Sequence, residues 1–424
     1  MHTQGVWFIE GIRQIPSLVM IAIHEARQVV LDSCSVLTAE LTSYEDMVGR
    51  VLAQDVVATE NVPPFANSAM DGYAVRAVDV AVVPCELRVI GTIAAGRASS
   101  LTLGAGETFR IMTGAPIPSG VDAVVIVEDS EVLGNDRVRL KRAAQHMQAI
   151  REVGSDVRIG DVVFGVGSVL NAPGIGVLAS INARHVLAYP RARVAVLSTG
   201  DELVTDGSPL RPGQIRESNL TMLVAMIAAT GCDVINLGIV TDDEESLEKS
   251  LRDVSLQCDA IVTSGGVSMG DFDIVKAVLS RIAQMNWMQM AIKPAKPFAL
   301  GQLATTDGRT IPIFGLPGNP VSSMISYELL ARPALRKMMG HTRDLLRPSV
   351  KAIVDSPLKR KTDGKIHYIR VFGSFAPDGR LHVRDTGPQE SHQLAATAMA
   401  NGIAEVPDGN GVNTGDEVDV MLWA

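Results

Sequence analysis

Ala260-Ile-Val-Thr-Ser-Gly-Gly-Val-Ser-Met-Gly-Asp-Phe-Asp273 is the stretch that decides the fold of this 424-residue chain. Ala260 to Thr263 is a short apolar run with β-branched residues, the pattern of a strand buried in a parallel sheet. Ser264-Gly265-Gly266 follows at once, then Ser268, Gly270 and the aspartates Asp271 and Asp273. From Asp271 onward, Ile274, Val275, Val278, Leu279 and Ile282 recur at the spacing of a helix packed back on the sheet. Strand, Gly-Gly loop and helix make half of a doubly wound fold, whose ligands sit at the carboxyl ends of the strands. Paired glycines let backbone approach a ligand and aim N–H groups at an anion, and a helix N-terminus adds its positive end. Aspartates make sense there when Mg²⁺ accompanies a phosphate. Read alone, the segment is equally a tight turn with capping aspartates.

Working outward, strands are expected at Val194–Leu197, Val234–Val240, Ala260–Thr263 and Ile311–Phe314. Ser218 is the candidate N-cap of a helix over Leu220–Thr230 that Gly231 stops, and Thr241 to Glu244 reads as a capping box for a helix ending near Val254. Each strand delivers a loop of ligating groups: Ser198-Thr-Gly-Asp201-Glu202, Thr241-Asp242-Asp243, Ser264 to Asp273, and Gly315-Leu-Pro317-Gly318-Asn319-Pro320. Four such loops at one sheet edge describe a site. Lys293 and Lys296 lie in the proline-held segment Ile292-Lys-Pro-Ala-Lys-Pro297, which reads as a clamp for a phosphate or oxyanion, against the plainer reading of an exposed lysine pair.

The chain exceeds one ordinary core, so two to four domains are expected. Its net charge of −9 argues against a nucleic-acid coat. Four scattered cysteines without a CxxC pair fit reduced thiols in a cytoplasm. No apolar run approaches a membrane span. Residues 1–19 read as an extension without a secretory pattern, and Met20 opens the regular fold. Helices are expected over residues 20–31 and from Tyr44 to Leu52. Ala66-Asn-Ser-Ala-Met-Asp71-Gly-Tyr-Ala74 reads as an ordered loop. Leu87 to Val138 is a glycine-punctuated β module inserted into an outer domain, with Thr113-Gly-Ala-Pro116 at its most elaborate turn. Gly174-Ile-Gly-Val-Leu-Ala179 imitates a dinucleotide fingerprint, but no strand precedes it, so a proline-started helix is expected. After Pro348 the pattern is all-β, with strands at Val350–Val354, Ile366–Phe372, Leu381–Arg384 and Glu417–Leu422 closing a small barrel.

Taken together, Pro63-Pro-Phe-Ala-Asn-Ser-Ala-Met-Asp-Gly-Tyr-Ala74, Arg110-Ile-Met-Thr-Gly-Ala-Pro116, Ser198-Thr-Gly-Asp-Glu-Leu203, Ser264-Gly-Gly-Val-Ser-Met-Gly270, Ile292-Lys-Pro294 and Leu316-Pro-Gly-Asn-Pro-Val-Ser322 identify a family. From about Met20 onward the chain resembles the molybdopterin molybdenumtransferases, the bacterial MoeA proteins and the gephyrin E domain. The resemblance implies a multidomain α/β plus β protein. A central doubly wound, mostly parallel α/β molybdopterin-binding domain would span residues 191–342. The N-terminal domain would be discontinuous over 20–62 and 154–190, a β-rich domain would be inserted at 63–153, and a C-terminal β-barrel would span 346–424. It further implies a cytoplasmic homodimer that inserts molybdate into adenylylated molybdopterin with Mg²⁺ and releases AMP, fed by an adenylyltransferase that could dock on it. Neither nucleic acid nor membrane is expected as a partner.

By the same resemblance Asp242 and Asp273 are metal candidates, and Asp201 and Glu202 help position metal or nucleotide. Molybdate donors would be Lys293, Lys296, Ser322, Arg370 and Ser391; cations and hydroxyls suit a tetrahedral dianion. Ser264, Gly265, Gly266, Ser268, Pro317, Gly318 and Asn319 would hold the pterin nucleotide. Asp71, Thr113 and Asp156 match functional positions that face the partner subunit's cleft in the family. The chain departs from the family pattern at Ala66, Ser155, Ala295 and Glu390, and a carboxylate at Glu390 should repel molybdate. The competing functions are a nucleotide-processing enzyme of adenylyltransferase or pyrophosphatase type, and a dimeric scaffold.

Overall fold

Ala260–Ser264 is a fully buried strand in a seven-stranded sheet. The computed structural model describes residues 7–9, 12–14, 20–240, 243–266 and 274–423. The chain folds into two units, Met1–Glu40 with Tyr189–Ala424, and Leu41–Ala188.

In the first unit Arg193–Thr199 pairs in parallel with Asp233–Val240 on one side and Ala260–Ser264 on the other, and Ala260–Ser264 pairs in parallel with Thr310–Leu316. Alternation divides these strands between two cores, as a period of two requires. Val194, Val196, Val262, Phe314 and Leu316 face the helices Asn219–Ala229 and Ile23–Asp32 and the long helical run from Pro320 to Met338. Ala195, Leu197, Ile261 and Ile313 face Glu244–Ser255 and Ile274–Ile282. A sheet covered on both faces is the doubly wound architecture expected.

Beyond Thr310–Leu316 the sheet turns antiparallel through Pro297–Ala304 and Gln284–Met290, two strands the sequence reading did not anticipate. Their sequences, PFALGQLA and QMNWMQM, are rich in Leu, Ala, Met and Gln rather than β-branched residues, so propensity hides them. Met20–Ile21, expected to open a helix, is instead the edge strand against Gln289–Met290, and the helix starts at Ile23. The helix Glu244–Ser255 is capped by Asp243, whose side chain accepts from the Ser246 N–H; Thr241 lies outside the described residues.

The C-terminal barrel closes on five strands. Ile366–Phe375 pairs with Leu381–Asp385 and with Gly402–Val406, Gly402–Val406 with Glu417–Leu422, and Glu417–Leu422 with Ser349–Val354, which returns in parallel to Leu381–Asp385. Val354, Val371, Val383, Ala404, Val406 and Val420 fill it. Arg347 ties this barrel to the α/β core, donating to both oxygens of the buried Glu328 at 2.8 and 3.0 Å and to the Trp423 carbonyl at 3.1 Å.

On the barrel surface the His382 imidazole lies between Asp355, 2.7 Å from Nδ1, and Asp378, 3.1 Å from Nε2. Those bonds, Asp355 first, raise its pKa. A pKa raised on folding gives stability fully present below the unfolded value of about 6.5 and lost as pH rises through the folded one. Thermal melts should therefore show the difference between wild type and His382→Gln larger at pH 5.5 than at pH 8.5, and smaller in high salt. An equal difference at both pH values would contradict this.

The second unit is nested. Glu40–Ser43 pairs with His185–Ala188, Val56–Val57 with Val162–Phe164, and Asn67–Ser68 with Ile150–Arg151, so the chain retraces its path around what lies between. Between them sits a six-stranded sheet over Gly72–Leu140. Gly72–Val75 and Ala123–Ile126 again alternate between two cores, Tyr73, Val75 and Val125 on one and Ala74 and Val124 on the other. The helix expected from Tyr44 is only a turn at Tyr44–Asp46 capped by Ser43; Gly49, at φ 79°, takes the left-handed conformation that a helix excludes. Ala172–Ser180 is the proline-started helix expected at the false dinucleotide fingerprint.

Candidate functional site

The carboxyl ends of the parallel strands open into a cavity of about 460 Å³. Ser198, Glu202, Ser264, Gly265, Gly266, Gly318 and Pro320 are among its lining residues, so three of the four expected loops meet there. In the fourth, Asp242 lies outside the described residues, as do Ser268 and Asp273.

Each loop has a local cause. Gly265 and Gly266 sit at φ 93° and 76°, and a Cβ on Gly266 would stand 2.2 Å from Val275 Cβ. The backbone thus turns tightly over the first turn of the helix Ile274–Ile282, as only glycine permits. The Gly265 N–H donates to the Leu316 carbonyl at 3.0 Å, tying this loop to the next strand. Gly200 is also left-handed, and the Glu202 carboxylate lies within 2.7–2.9 Å of where its Cβ would be.

Two residues absent from the sequence reading join these loops. The Glu217 carboxylate accepts from the Ser198 hydroxyl at 3.1 Å and from the Leu220 N–H at 2.6 Å, so Glu217, not Ser218, caps the helix Asn219–Ala229. Asn219 donates through Nδ2 to Ser264 Oγ at 2.9 Å and to the Gly318 carbonyl at 2.6 Å. The only sequence signal was Glu217-Ser-Asn219 directly ahead of an apolar helix; that marks a cap without saying which loops it reaches.

The anion candidates lie elsewhere in the same unit. Among described residues the cavity lining does not include Lys293, Lys296, Ser322, Arg370 or Ser391. Ile292–Lys293 joins the barrel strand Ile366–Phe375, with Lys293 paired to His367. Lys293 and Lys296 are exposed, and neither has an ion-pair partner among the described residues. His367 is mostly buried with Nε2 3.1 Å from Asp363; burial lowers its pKa, and Lys293 also disfavours its charged form. Ala295 takes the left-handed φ of 72°, a conformation that costs a residue with a side chain more than it costs glycine.

Arg370 is fully buried, the largest such side chain among the described residues. Its Nη1 donates to the Gln389 carbonyl at 3.0 Å, and Nη2 to the carbonyls of Pro388 and Glu390 at 3.0 and 3.2 Å. Its guanidinium therefore shapes the 388–391 loop. Ser391 of that loop accepts from the Val321 N–H at 3.1 Å, beside the buried Ser322. The Glu390 side chain is exposed to solvent. Pro317 follows the Thr310–Leu316 strand and Asn319 is the N-cap residue of Pro320–Ser326; the cavity lining includes Gly318 and Pro320 but neither Pro317 nor Asn319. Asp201 is exposed beside Glu202.

In the second unit Asp71 and Thr113 form one hydrogen-bonded pair: the Thr113 N–H and hydroxyl both donate to Asp71 Oδ1, at 2.7 and 2.8 Å. They hold the carboxyl below its ordinary pKa, the N–H first. Thr113→Val should move the Asp71 pKa part of the way back up, read by NMR titration of the carboxyl; an unchanged value would show that the hydroxyl contributes nothing. Asp156 is exposed in a turn whose N–H donates to the Val62 carbonyl.

A doubly wound sheet with a carboxyl-edge cavity, a nested β-rich unit and a closed five-strand barrel define a multidomain α/β protein. Residues 21–182 match the MoeA N-terminal region (domains I and II), 195–337 a probable molybdopterin binding domain, and 352–423 the MoeA C-terminal region (domain IV). The chain is 36% identical over 404 residues to the molybdopterin molybdenumtransferase of Haemophilus influenzae, covering 95% of this chain and 98% of that protein. It is 37% identical over 402 residues to molybdopterin molybdenumtransferase 2 of Mycobacterium tuberculosis, covering 92% and 96%. The crystal structure of the molybdopterin biosynthesis MoeA protein from Pyrococcus horikoshii matches with a TM-score of 0.77 at 27% identity, over 96% of this chain and 100% of that one. The chain belongs to the MoeA family of molybdopterin molybdenumtransferases. Among the described residues no helix is long and apolar enough to cross a membrane.

Proposed function

We propose that this protein is a molybdenumtransferase of molybdenum cofactor biosynthesis, inserting molybdate into adenylylated molybdopterin with Mg²⁺-dependent release of AMP. The observation that carries the reading is the meeting of the Ser198–Glu202, Ser264–Gly266 and Gly318–Pro320 loops on one cavity of about 460 Å³. In this reading the Gly265-Gly266 backbone and the Ser264 hydroxyl receive the phosphates, and Asp201, Pro317, Gly318, Asn319 and Ser268 shape the rest of the nucleotide site. Fixed donors aimed at anionic oxygens need no reorganisation during reaction.

The donor set suits Mg²⁺. Glu202 brings to the cavity a carboxylate with no ion-pair partner among the described residues, and Mg²⁺ takes only one or two protein carboxylates beside substrate phosphates. Among the described residues no cluster of three acidic, histidine or cysteine groups exists for a metal caged by protein alone. Glu202, Asp242 and Asp273 would hold the ion, which when bound neutralises phosphate charge. Molybdate would be held by Lys293 and Lys296, with Ser322 and Ser391 as hydroxyl donors, Ser391 on the loop that Arg370 fixes. Because the Glu390 side chain is solvated, its charge opposes molybdate less than its sequence position suggests.

The homodimer, the four domain boundaries expected above, the roles of Asp71, Thr113 and Asp156 and docking of an adenylyltransferase belong to the same proposal. Val57 and Val162, register partners that are both exposed, support a self-associating surface in the second unit. The cysteines are free, and burial pushes Cys34 and Cys232 up to about 12, which fits unreactive thiols in a cytoplasm. The test is elemental analysis of pterin recovered after incubation with molybdate and adenylylated molybdopterin. Molybdenum in the pterin, one per AMP released, is expected; AMP without molybdenum would favour nucleotide processing, and neither would leave a scaffold.

A further inference from the structure

Asn219 is 9% exposed, yet its Oδ1 is buried without a hydrogen-bond partner. Its orientation is not a matter of choice. The Gly318 carbonyl 2.6 Å away has no proton to give, so the amide must present Nδ2 to it. The second Nδ2 proton then goes to Ser264 Oγ at 2.9 Å. Ser264 is therefore an acceptor towards Asn219, and its single O–H proton must be spent elsewhere. Among the described residues no acceptor takes it, and Ser264, 4% exposed, lines the cavity beside Gly265 and Gly266. A side chain kept only to fill space would not leave a buried carbonyl oxygen unpaired, which is costly.

We propose that Asn219 is a positioning residue that makes Ser264 a one-way hydrogen-bond donor, committing its hydroxyl to an anionic phosphate oxygen of the ligand in the cavity. The inference rests on the reading of that cavity as the site of a phosphate-bearing pterin nucleotide, and adds how it selects: a ligand must offer an acceptor at Ser264. The same two bonds of Asn219 clasp the loops that follow Ala260–Ser264 and Thr310–Leu316, fixing the spacing between Ser264 and Gly318.

The test is a double-mutant cycle on the full chain, with the Kd for adenylylated molybdopterin in Mg²⁺ read by calorimetry. Ser264→Ala should weaken binding roughly ten- to a hundredfold, the usual worth of a hydrogen bond to a charged group. Asn219→Asp replaces the donor by an acceptor that takes the Ser264 proton. In that background Ser264→Ala should cost less than about threefold, because the hydroxyl has already been withdrawn from the ligand. A purely structural Asn219 predicts the same cost of Ser264→Ala in both backgrounds, and that result overturns the inference while leaving the transferase reading intact. A wild-type chain that does not bind adenylylated molybdopterin overturns both. Circular dichroism melts confirm folding. Should Asn219→Asp fail to fold, Asn219→Ala takes its place: it frees the Ser264 hydroxyl to rotate, so the cost of Ser264→Ala must fall below its cost in wild type, and an unchanged cost again overturns the inference.

Discussion

Gly266→Ala is expected to abolish binding at the sheet-edge cavity and to lower stability by about 2–5 kcal/mol, the sum of left-handed strain and overpacking. At φ 76° any side chain is strained, and the new methyl would stand 2.2 Å from Val275 Cβ. Val275 is 2% exposed on the buried face of Ile274–Ile282 and cannot retreat without moving that helix. The loop lifts instead, carrying the Gly266 N–H away from the ligand and pulling on the Gly265 N–H bond to the Leu316 carbonyl. Gly238→Ala is the control, because Gly238 has the same φ of 76° with nothing within 4 Å of its Cβ. Urea denaturation and ligand titration of both variants decide the matter. Equal losses would mean that only backbone strain is at stake.

The second large effect is expected at Arg370→Ala, a loss of about 3–5 kcal/mol from a buried cavity and carbonyls left without their charged donors. The guanidinium holds the carbonyls of Pro388, Gln389 and Glu390, and the loop they form reaches the Val321 N–H through Ser391. Molybdate binding should weaken with it, although Arg370 itself makes its contacts to backbone. Arg370→Lys keeps the charge but has no planar fork, so it should recover only part of the stability. A wild-type urea midpoint in Arg370→Ala would contradict this role.

The inner parallel strands were legible because burial on both faces leaves runs without a charged residue, such as Ala260–Thr263 and Val194–Leu197. The barrel was legible from its turns, although Gly402–Val406, its fifth strand, was missed. Gln284–Met290 was hidden because its side chains alternate without β-branching, and Met20–Ile21 because two residues carry no period. At the site, the three sheet-edge loops were legible as chemistry after a strand. Glu217 and Asn219 were not: a cap residue tells which helix it opens, while the loops it clasps, 45 and 99 residues away for Asn219, are set by tertiary packing. Arg370 shows the opposite difficulty. The resemblance made it a candidate molybdate donor, and its burial against the carbonyls of residues 388–390 comes from tertiary packing that its strand sequence does not announce.

The central claim is best tested by the time course of AMP release from adenylylated molybdopterin bound to the purified protein with Mg²⁺, before and after molybdate is added. The account predicts release that begins with molybdate and disappears in Lys296→Ala and Asp273→Ala. Release at the same rate without molybdate would contradict it.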